Sequence, residues 1–269
     1  MTTLTMLGSG SRGNAGILTA GGAAILLDAG FSAREIVRRA ALAGVSLEGL
    51  CGIALTHEHG DHSQGALRLA RVYRVPVLAS AGTWTALGAP ADVAFLPLRT
   101  MTRTECGPFT LAGCSLLHDA REPLALTITT ADGLSLGVAY DFGRATQALR
   151  YHFRNLHAIV LEANYDEVLL RTSGYPASVQ QRIAGSGGHL SNRATAQLLT
   201  ELHHAGLATV VLAHLSQQCN TPAAARAAVE PVLRRSGFVG ELHVAGQDAP
   251  LAAIRLTVSP GALPDLWSA

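Results

Sequence analysis

The sequence predicts an α/β protein in which two mixed sheets are flanked by helices and form one domain over residues 1–269. Two observations support this fold class. Short apolar segments typical of strands alternate with helical segments along the whole chain, and no low-complexity linker or internal repeat interrupts them. The chain is 48% hydrophobic and 14% charged, so it can bury a substantial core and is not disordered.

Strand patterns dominate the beginning of the chain. The pair Gly21-Gly22 predicts a hairpin between two apolar segments. The capping box Ser32-Ala-Arg-Glu35 predicts a helix that ends at Gly44. The elements expected up to residue 79 are strands at Thr3–Leu7, Gly16–Ala20, Ala23–Leu27, Gly52–Leu55 and Pro76–Ala79, and a second helix at Gln64–Tyr73.

Turns then divide the stretch from Val93 to Tyr140 into short strands, and Asp132-Gly133 is the clearest of these turns. The elements expected after this stretch are helices at Ala145–Arg154, Val179–Ala184, Asn192–Ala205 and Pro222–Arg235, and strands at Ala158–Leu161, Thr209–Ala213, Glu241–Val244 and Ala252–Val258.

Composition excludes several kinds of chemistry. All 20 basic residues are arginine, so lysine Schiff bases, P-loop lysines and Ser-Lys dyads are excluded. The net charge of +1 excludes a strongly basic nucleic-acid coat, and the four cysteines form no C-x-x-C pair. The chain shows no signal-peptide pattern and no apolar run of about 18 residues, so we expect a cytoplasmic protein.

One glycine-rich segment, Gly8-Ser-Gly10-Ser-Arg-Gly13, matches the G-x-G-x-x-G pattern of dinucleotide-binding loops, and Asp28 lies at a plausible distance for its acidic partner. Such a site requires a helix that starts at the loop, because the helix N-terminus holds the pyrophosphate. The residues after Asn14 are too rich in glycine for a helix, so we reject this interpretation. The loop is either a plain turn or an approach to a ligand, with the Asn14 amide as a candidate substrate contact.

The strongest chemical feature is the segment Thr56-His57-Glu58-His59-Gly60-Asp61-His62, which lies between a strand and a helix. Three imidazoles and a carboxylate at this density would be costly to bury unpaired, and they are ligands that suit zinc, iron and manganese. His57 and His59 are two residues apart in an extended segment, so their side chains point the same way. Asp61 and His62 follow the turn at Gly60, so one loop can provide two ligands to each of two metal ions.

This H-x-H-x-D-H motif after a strand resembles the metallo-β-lactamase superfamily, whose fold is an αββα sandwich with a metal site at one edge. The resemblance implies further ligands at the ends of later strands, namely His118, Asp141 and His214. It implies that one divalent ion is held by His57, His59 and His118. It assigns the second ion to Asp61, His62 and His214, with Asp141 bridging the two ions.

Further segments resemble, within this superfamily, the WalJ (YycJ) group of exonuclease-like hydrolases and, more distantly, tRNase Z. These segments are Gly8–Asn14, His118–Pro123, Leu161–Asp166, Gly174–Pro176, Gly188–Asn192 and His214–Pro222. The resemblance implies that His189 protonates the leaving oxygen and that Glu162 favours the charged form of His189. The nucleophile is then a hydroxide that bridges the two metals, and Asp61 orients this hydroxide. The alternative is that Glu162 only holds a metal-binding histidine in position.

Ser191 and Asn192 are candidate substrate contacts, because they lie at the expected start of a helix, where backbone N–H groups favour a phosphate. Ser191 alternatively serves only as an N-cap.

The sequence therefore predicts a phosphodiesterase or nuclease with two divalent ions, zinc or manganese, with iron also suited to the ligands. The group resemblance implies a 5′-to-3′ exonuclease with DNA as the preferred nucleic-acid substrate. Alternatives are a thioesterase or lactonase of glyoxalase-II type, a cyclic phosphodiesterase acting on small molecules, and a non-catalytic regulator that keeps a metal for folding. A thiolate leaves without a proton, so the pair Glu162 and His189 argues against the thioesterase.

Overall fold

Two seven-stranded sheets face each other in a computed structural model that describes residues 1–257. In chain order the strands are β1 (Thr2–Gly8), β2 (Ala15–Ala20), β3 (Ala23–Leu27), β4 (Leu50–Ala54), β5 (Val77–Ala79), β6 (Phe95–Pro97), β7 (Arg103–Cys106), β8 (Phe109–Ser115), β9 (Leu124–Thr130), β10 (Ser135–Ala139), β11 (Ala158–Glu162), β12 (Thr209–Ala213), β13 (Glu241–Val244) and β14 (Ile254–Leu256). One sheet has the order β14-β1-β2-β3-β4-β5-β6 and the other β13-β12-β11-β10-β9-β8-β7.

Helices cover the outer faces of the two sheets. They are α1 (Ala33–Leu42), α2 (Gly60–Ser63), α3 (Ala66–Tyr73), α4 (Ala81–Ala86), α5 (Gln147–His152), α6 (Glu167–Arg171), α7 (Ala177–Ala184), α8 (Asn192–Leu202) and α9 (Pro222–Arg235). Both sheets mix parallel and antiparallel pairs, for example β1 antiparallel to β2 and β3 parallel to β4. The predicted fold class of two mixed sheets flanked by helices is thus confirmed.

Three apolar clusters account for the layered packing. One lies between the sheets and combines residues such as Leu4 and Ile25 of the first sheet with Ile128 and Val160 of the second. The other two pack α1 and α3 against the first sheet and α5, α8 and α9 against the second. Each fully buried Leu, Ile or Phe side chain in these clusters contributes roughly 1.5–3 kcal/mol. Both faces of the sheets are therefore covered, as parallel strands require.

Most predicted elements are confirmed, and the differences have local causes. The hairpin glycines Gly21 and Gly22 have φ of +59° and +84°, as a tight turn requires. The helix expected from Gln64 begins at Ala66, because the turn of α2 occupies the residues before it. The helix expected to reach Ala205 ends at Leu202, where His203 turns to an extended conformation. Three short helices, α2, α4 and α6, were not predicted. Val258 of the last expected strand lies outside the described residues.

Parallel pairing brings several strand ends to one edge of the sandwich. β3 runs parallel to β4, and β10, β11 and β12 run parallel to one another. Residues that follow these strands therefore meet at a single edge, which is where α/β sheets usually place ligand sites. No helix within residues 1–257 combines the length and apolarity needed to cross a bilayer.

Candidate metal centre

The ends of five strands provide the polar side chains at this edge. They are Asp28 after β3, His57 after β4, Asp141 after β10, Glu162 at the end of β11 and His214 after β12. Three of these residues, Asp28, Asp141 and His214, have φ between +52° and +55°, which is uncommon for residues other than glycine. Such backbone strain concentrates at functional sites because the surrounding structure must hold it.

The first group of candidate ligands is the imidazole trio His57, His59 and His118. One nitrogen from each ring lies within 4.8 Å of the others. Nδ1 of His118 donates a hydrogen bond to the carbonyl oxygen of Gly187 at 3.0 Å, so Nε2 is the ring nitrogen that can bind a cation. Oδ1 of Asp119 lies 3.0 Å from this Nε2. His57 and His59 from the loop before α2 thus meet His118, which follows β8. These are the three residues that the family resemblance assigns to one metal ion.

The second group consists of Asp61, His62 and His214, whose ligand atoms also lie within 4.8 Å of one another. Nε2 of His62 and Nε2 of His214 lie 3.5 and 3.4 Å from Oδ2 of Asp61. Nδ1 of His62 faces Oδ2 of Asp28 at 2.8 Å, and Nδ1 of His214 faces Oε1 of Glu162 at 2.9 Å. A carboxylate behind each ring fixes Nδ1 as the donor and directs Nε2 to the shared point.

Asp141 lies between the two groups. Its Oδ2 is 2.8 Å from Nε2 of His62 and 3.5 Å from Nε2 of His57, so it contacts one member of each group. These three residues also satisfy the geometry of a metal-binding cluster. Asp141 therefore lies between the two groups to which the family resemblance assigns the two ions.

Two buried atoms test whether divalent ions suit these residues. Nε2 of His57 has no hydrogen-bond partner within residues 1–257, and Oδ2 of Asp141 makes none of acceptable geometry although His62 is near. Orphaned polar atoms at full burial are costly unless another group binds them. The imidazole and carboxylate donor set matches zinc, manganese and iron, so the residues fit two divalent ions.

The pKa values of several candidate ligands are shifted by burial and by one another. Burial lowers the pKa of His57, and the neighbouring His62 lowers it further, so this ring is in the neutral form that binds metal. Burial alone would lower the pKa of His214, yet Asp141 and Asp61 raise it to about 9. Burial would raise the pKa of Asp61, but hydrogen bonds from His214 and His62 hold it well below its usual range. The buried carboxylates are thus stabilised by positive charge from His62 and His214. Divalent cations bound to neutral rings would supply that charge instead.

Glu162 and His189 form a close pair beside the second group. Nδ1 of His189 lies 2.6 Å from Oε1 of Glu162, and the same oxygen faces Nδ1 of His214. Burial opposes the charged form of His189, but the carboxylates of Glu162 and Asp141 together outweigh burial and raise the pKa of the ring. Glu162 itself is fully buried, and its other oxygen accepts from the backbone N–H groups of Phe142 and Leu190 at 3.3 Å. Glu162 thus contacts both His189 and His214. The two alternatives for Glu162, a partner of the proton donor and a brace for a ligand histidine, are therefore compatible.

The three predicted substrate contacts are buried side chains with partners inside the protein. Asn14 is fully buried; its oxygen accepts from Ser9, and its nitrogen faces Nε2 of His62 at 3.1 Å. The hydroxyl of Ser191 caps α8 by accepting from the N–H of Ala194 and donates to Glu167.

The third, Asn192, is buried against Asn220, and its backbone N–H donates to the carbonyl oxygen of Tyr165 at 2.8 Å. All three side chains are thus committed to the protein's own hydrogen bonds. This burial speaks against direct contact with a substrate.

Asp28 is the functional residue that sequence reasoning missed. Its Oδ1 accepts from the backbone N–H of Thr56 at 2.8 Å, while Oδ2 faces His62, so it joins two strand ends under the centre. The sequence interpretation treated Asp28 only as a partner of the rejected dinucleotide loop. The sequence did carry a signal for this role. Asp28 directly follows an apolar strand, β3, and β3 pairs with β4, the strand before the His-rich loop.

A cavity of about 420 Å³ opens above the two groups. His59, Asp61, His118, Asp141, His189 and His214 form its floor, together with Asp119 and Asn164. Residues of α7 and of the loop before α8 form a wall, and Ser11 and Ser216 complete the lining. The volume lies within the range of about 300–1,000 Å³ that is typical of small-molecule sites.

Comparison with known proteins gives a consistent pattern. Residues 8–154 match the family model described as the metallo-beta-lactamase superfamily. Exodeoxyribonuclease YycJ of Bacillus anthracis is 31% identical over 243 residues, which cover 88% of this chain and 91% of that protein.

Solved structures agree in fold. The metallo-beta-lactamase fold protein YhfI from Bacillus subtilis has a TM-score of 0.70 at 16% identity, with 93% of this chain and 99% of that chain covered. Human tRNase Z, short form, has a TM-score of 0.62 at 14% identity, with 93% and 98% covered. At these identities the likeness is one of architecture.

Proposed function

The chain belongs to the metallo-β-lactamase superfamily and is a metal-dependent hydrolase, and we propose that it is a DNA exonuclease with two divalent metal ions. The resemblance to the WalJ (YycJ) group is confirmed by the exodeoxyribonuclease relative. That relative covers most of both chains, which supports a shared substrate class. The 5′-to-3′ direction is the one that the group resemblance implies.

The candidate ligands would divide as the sequence predicts. His57, His59 and His118 would hold one ion. Asp61, His62 and His214 would hold the other, and Asp141 would touch both. When bound, the two ions supply the positive charge that activates a water molecule at neutral pH and stabilises a phosphodiester transition state. Zinc and manganese suit this donor set, and so does iron.

The observation that carries the proposal is the pair Glu162 and His189 at the cavity floor. Because Nδ1 of His189 faces Glu162 at 2.6 Å, its Nε2 is the ring nitrogen left to meet a substrate. Glu162 favours the protonated ring, which can donate a proton to a departing alkoxide. The sugar oxygen of a phosphodiester needs that proton, whereas a thiolate does not. The site therefore suits a phosphodiester better than a thioester.

A panel of substrates tests this function. Protein loaded with zinc or manganese is incubated with single- and double-stranded DNA labelled at either end, with RNA, with bis(4-nitrophenyl) phosphate and with a glutathione thioester. We expect nucleotides to be released stepwise from the 5′ end of DNA, and chelation to abolish the release. Turnover of the thioester in preference to DNA would overturn the proposal, and faster degradation of RNA would overturn the DNA assignment.

Two site variants and one surface variant make the panel specific. His59→Ala and Asp61→Ala should abolish hydrolysis, because each removes a ligand of a different ion. The matched control is His243→Ala, since His243 lies on β13 and pairs only with Glu241 among the contacts of residues 1–257. Cleavage at the wild-type rate by either site variant would contradict the assigned ligands.

A further inference from the structure

Helix α7 forms a wall of the cavity rather than part of the core. None of its residues is buried. Val179 and Ile183 are four residues apart, so they lie along one side of the helix, and Tyr175 lies just before the N-cap residue Pro176. All three side chains line the cavity. Tyr175 and Ile183 also contact a small buried cluster of Tyr165, Leu170 and Cys219, which holds this side in place. An apolar stripe therefore faces the space above the candidate metal centre.

Arg182 stands next to this stripe and also lines the cavity. Its side chain is exposed and has no ion pair or side-chain hydrogen bond within residues 1–257. The chain has no lysine, and Arg182 is the one arginine among the lining residues. It is thus the only side chain at the cavity whose positive charge is independent of pH. The acids on the floor, Asp61, Asp119 and Asp141, are the groups whose charge metal ions would offset.

We infer that Tyr175 and Arg182 form a nucleotide subsite, in which Tyr175 packs on a base and Arg182 binds the phosphate next to the one that is cut. This inference rests on the proposed exonuclease function. A nucleotide combines a flat ring with an anion, which matches an aromatic residue and an unpaired guanidinium that line the same cavity. Base–aromatic stacking and phosphate pairing are the two contacts by which proteins hold single strands without reading their sequence.

The size of the cavity sets what the subsite holds. About 420 Å³ suits one nucleotide unit rather than a stack of paired bases. The terminal nucleotide would enter with its scissile phosphate at the floor and its neighbouring phosphate toward α7. Stepwise removal of single nucleotides is consistent with this arrangement, because the cavity has room for about one nucleotide unit.

Steady-state kinetics of variants test the subsite. Arg182→Ala should raise KM for single-stranded DNA about tenfold while kcat changes little, because it removes a phosphate contact and no ligand. Arg182→Lys should restore part of the affinity. Tyr175→Leu should raise KM, and Tyr175→Phe should not, because the ring provides the contact. Arg193→Ala is the matched control, since Arg193 is 85% exposed, lies 3.5 Å from Glu167 and does not line the cavity.

Three further readouts separate binding from structural damage. The slope of log KM against log salt should fall by about one for Arg182→Ala, as expected for one lost phosphate contact. KM for bis(4-nitrophenyl) phosphate, which has a single phosphate, should be unchanged in that variant. Metal content should equal that of the wild type.

The outcomes distinguish this inference from the function on which it rests. If the wild type degrades DNA and Arg182→Ala matches it in KM and salt slope, the subsite is wrong and the exonuclease stands. An equal rise in KM for Arg193→Ala would also overturn the subsite. If the wild type degrades no polynucleotide, the proposed function fails and the subsite fails with it.

Discussion

Oδ2 of Asp28 lies 2.8 Å from Nδ1 of His62, beneath the candidate metal centre, and both side chains are buried. Asp28 comes from β3 and His62 from the turn after β4, so the contact joins two neighbouring strands of one sheet. The carboxylate fixes Nδ1 of the ring as the donor and leaves Nε2 for a cation. A residue outside the predicted ligand set therefore orients one of its members.

Replacement of Asp28 tests this orientation. We expect Asp28→Asn to weaken the binding of one of the two ions by about 10–100-fold, because the ring loses its charged partner. Asn is the suitable substitution, since it tolerates the positive φ of +55° at this position. Competition titration with a chelator measures the effect.

The control for this titration is Asp92→Asn, which removes an exposed carboxylate paired with Arg71 on the surface. It should leave both metal affinities unchanged. Equal metal binding by Asp28→Asn and the wild type would show that the orientation of His62 does not depend on Asp28.

His189 tests the proton donor. We expect His189→Ala to lower kcat on DNA by about 10²–10⁴-fold, the range of a lost general acid, with both metal ions retained. The loss on bis(4-nitrophenyl) phosphate should be much smaller, because 4-nitrophenolate leaves without a proton. Rates on both substrates and the metal content are measured together, with His243→Ala as the control. Loss of a metal ion from His189→Ala would make this residue a ligand instead.

Ser191 tests whether the start of α8 acts in stability or in substrate binding. Ser191→Ala should lower the free energy of unfolding by about 1 kcal/mol, because the N–H of Ala194 loses its cap. KM for DNA should not change, since the hydroxyl is buried. Urea denaturation and steady-state kinetics measure the two effects.

Thr221→Ala, which removes the equivalent cap of α9, should give a similar loss of stability. A higher KM for Ser191→Ala at wild-type stability would instead make Ser191 a substrate contact.

The sequence predicts the fold well, and its candidate ligands lie together in the structure, because the signals of both are local. The strands are apolar runs bounded by turns, and the seven predicted ligands follow such runs or lie in one dense loop. The sequence could not show that Asn14 and Asn192 are buried, because burial depends on how distant segments pack. The positions of Asp28 under His62 and of Arg182 on the cavity wall likewise depend on tertiary contacts that no local pattern encodes.

The metal content of the wild-type protein tests the central claim most directly. Seven candidate ligands in two groups, joined through Asp141, predict about two divalent ions per chain after loading and removal of excess metal. Metal analysis alongside DNA hydrolysis should show full activity only near two ions, and His118→Ala and His214→Ala should each lose one. Full activity with one ion or none would contradict the account.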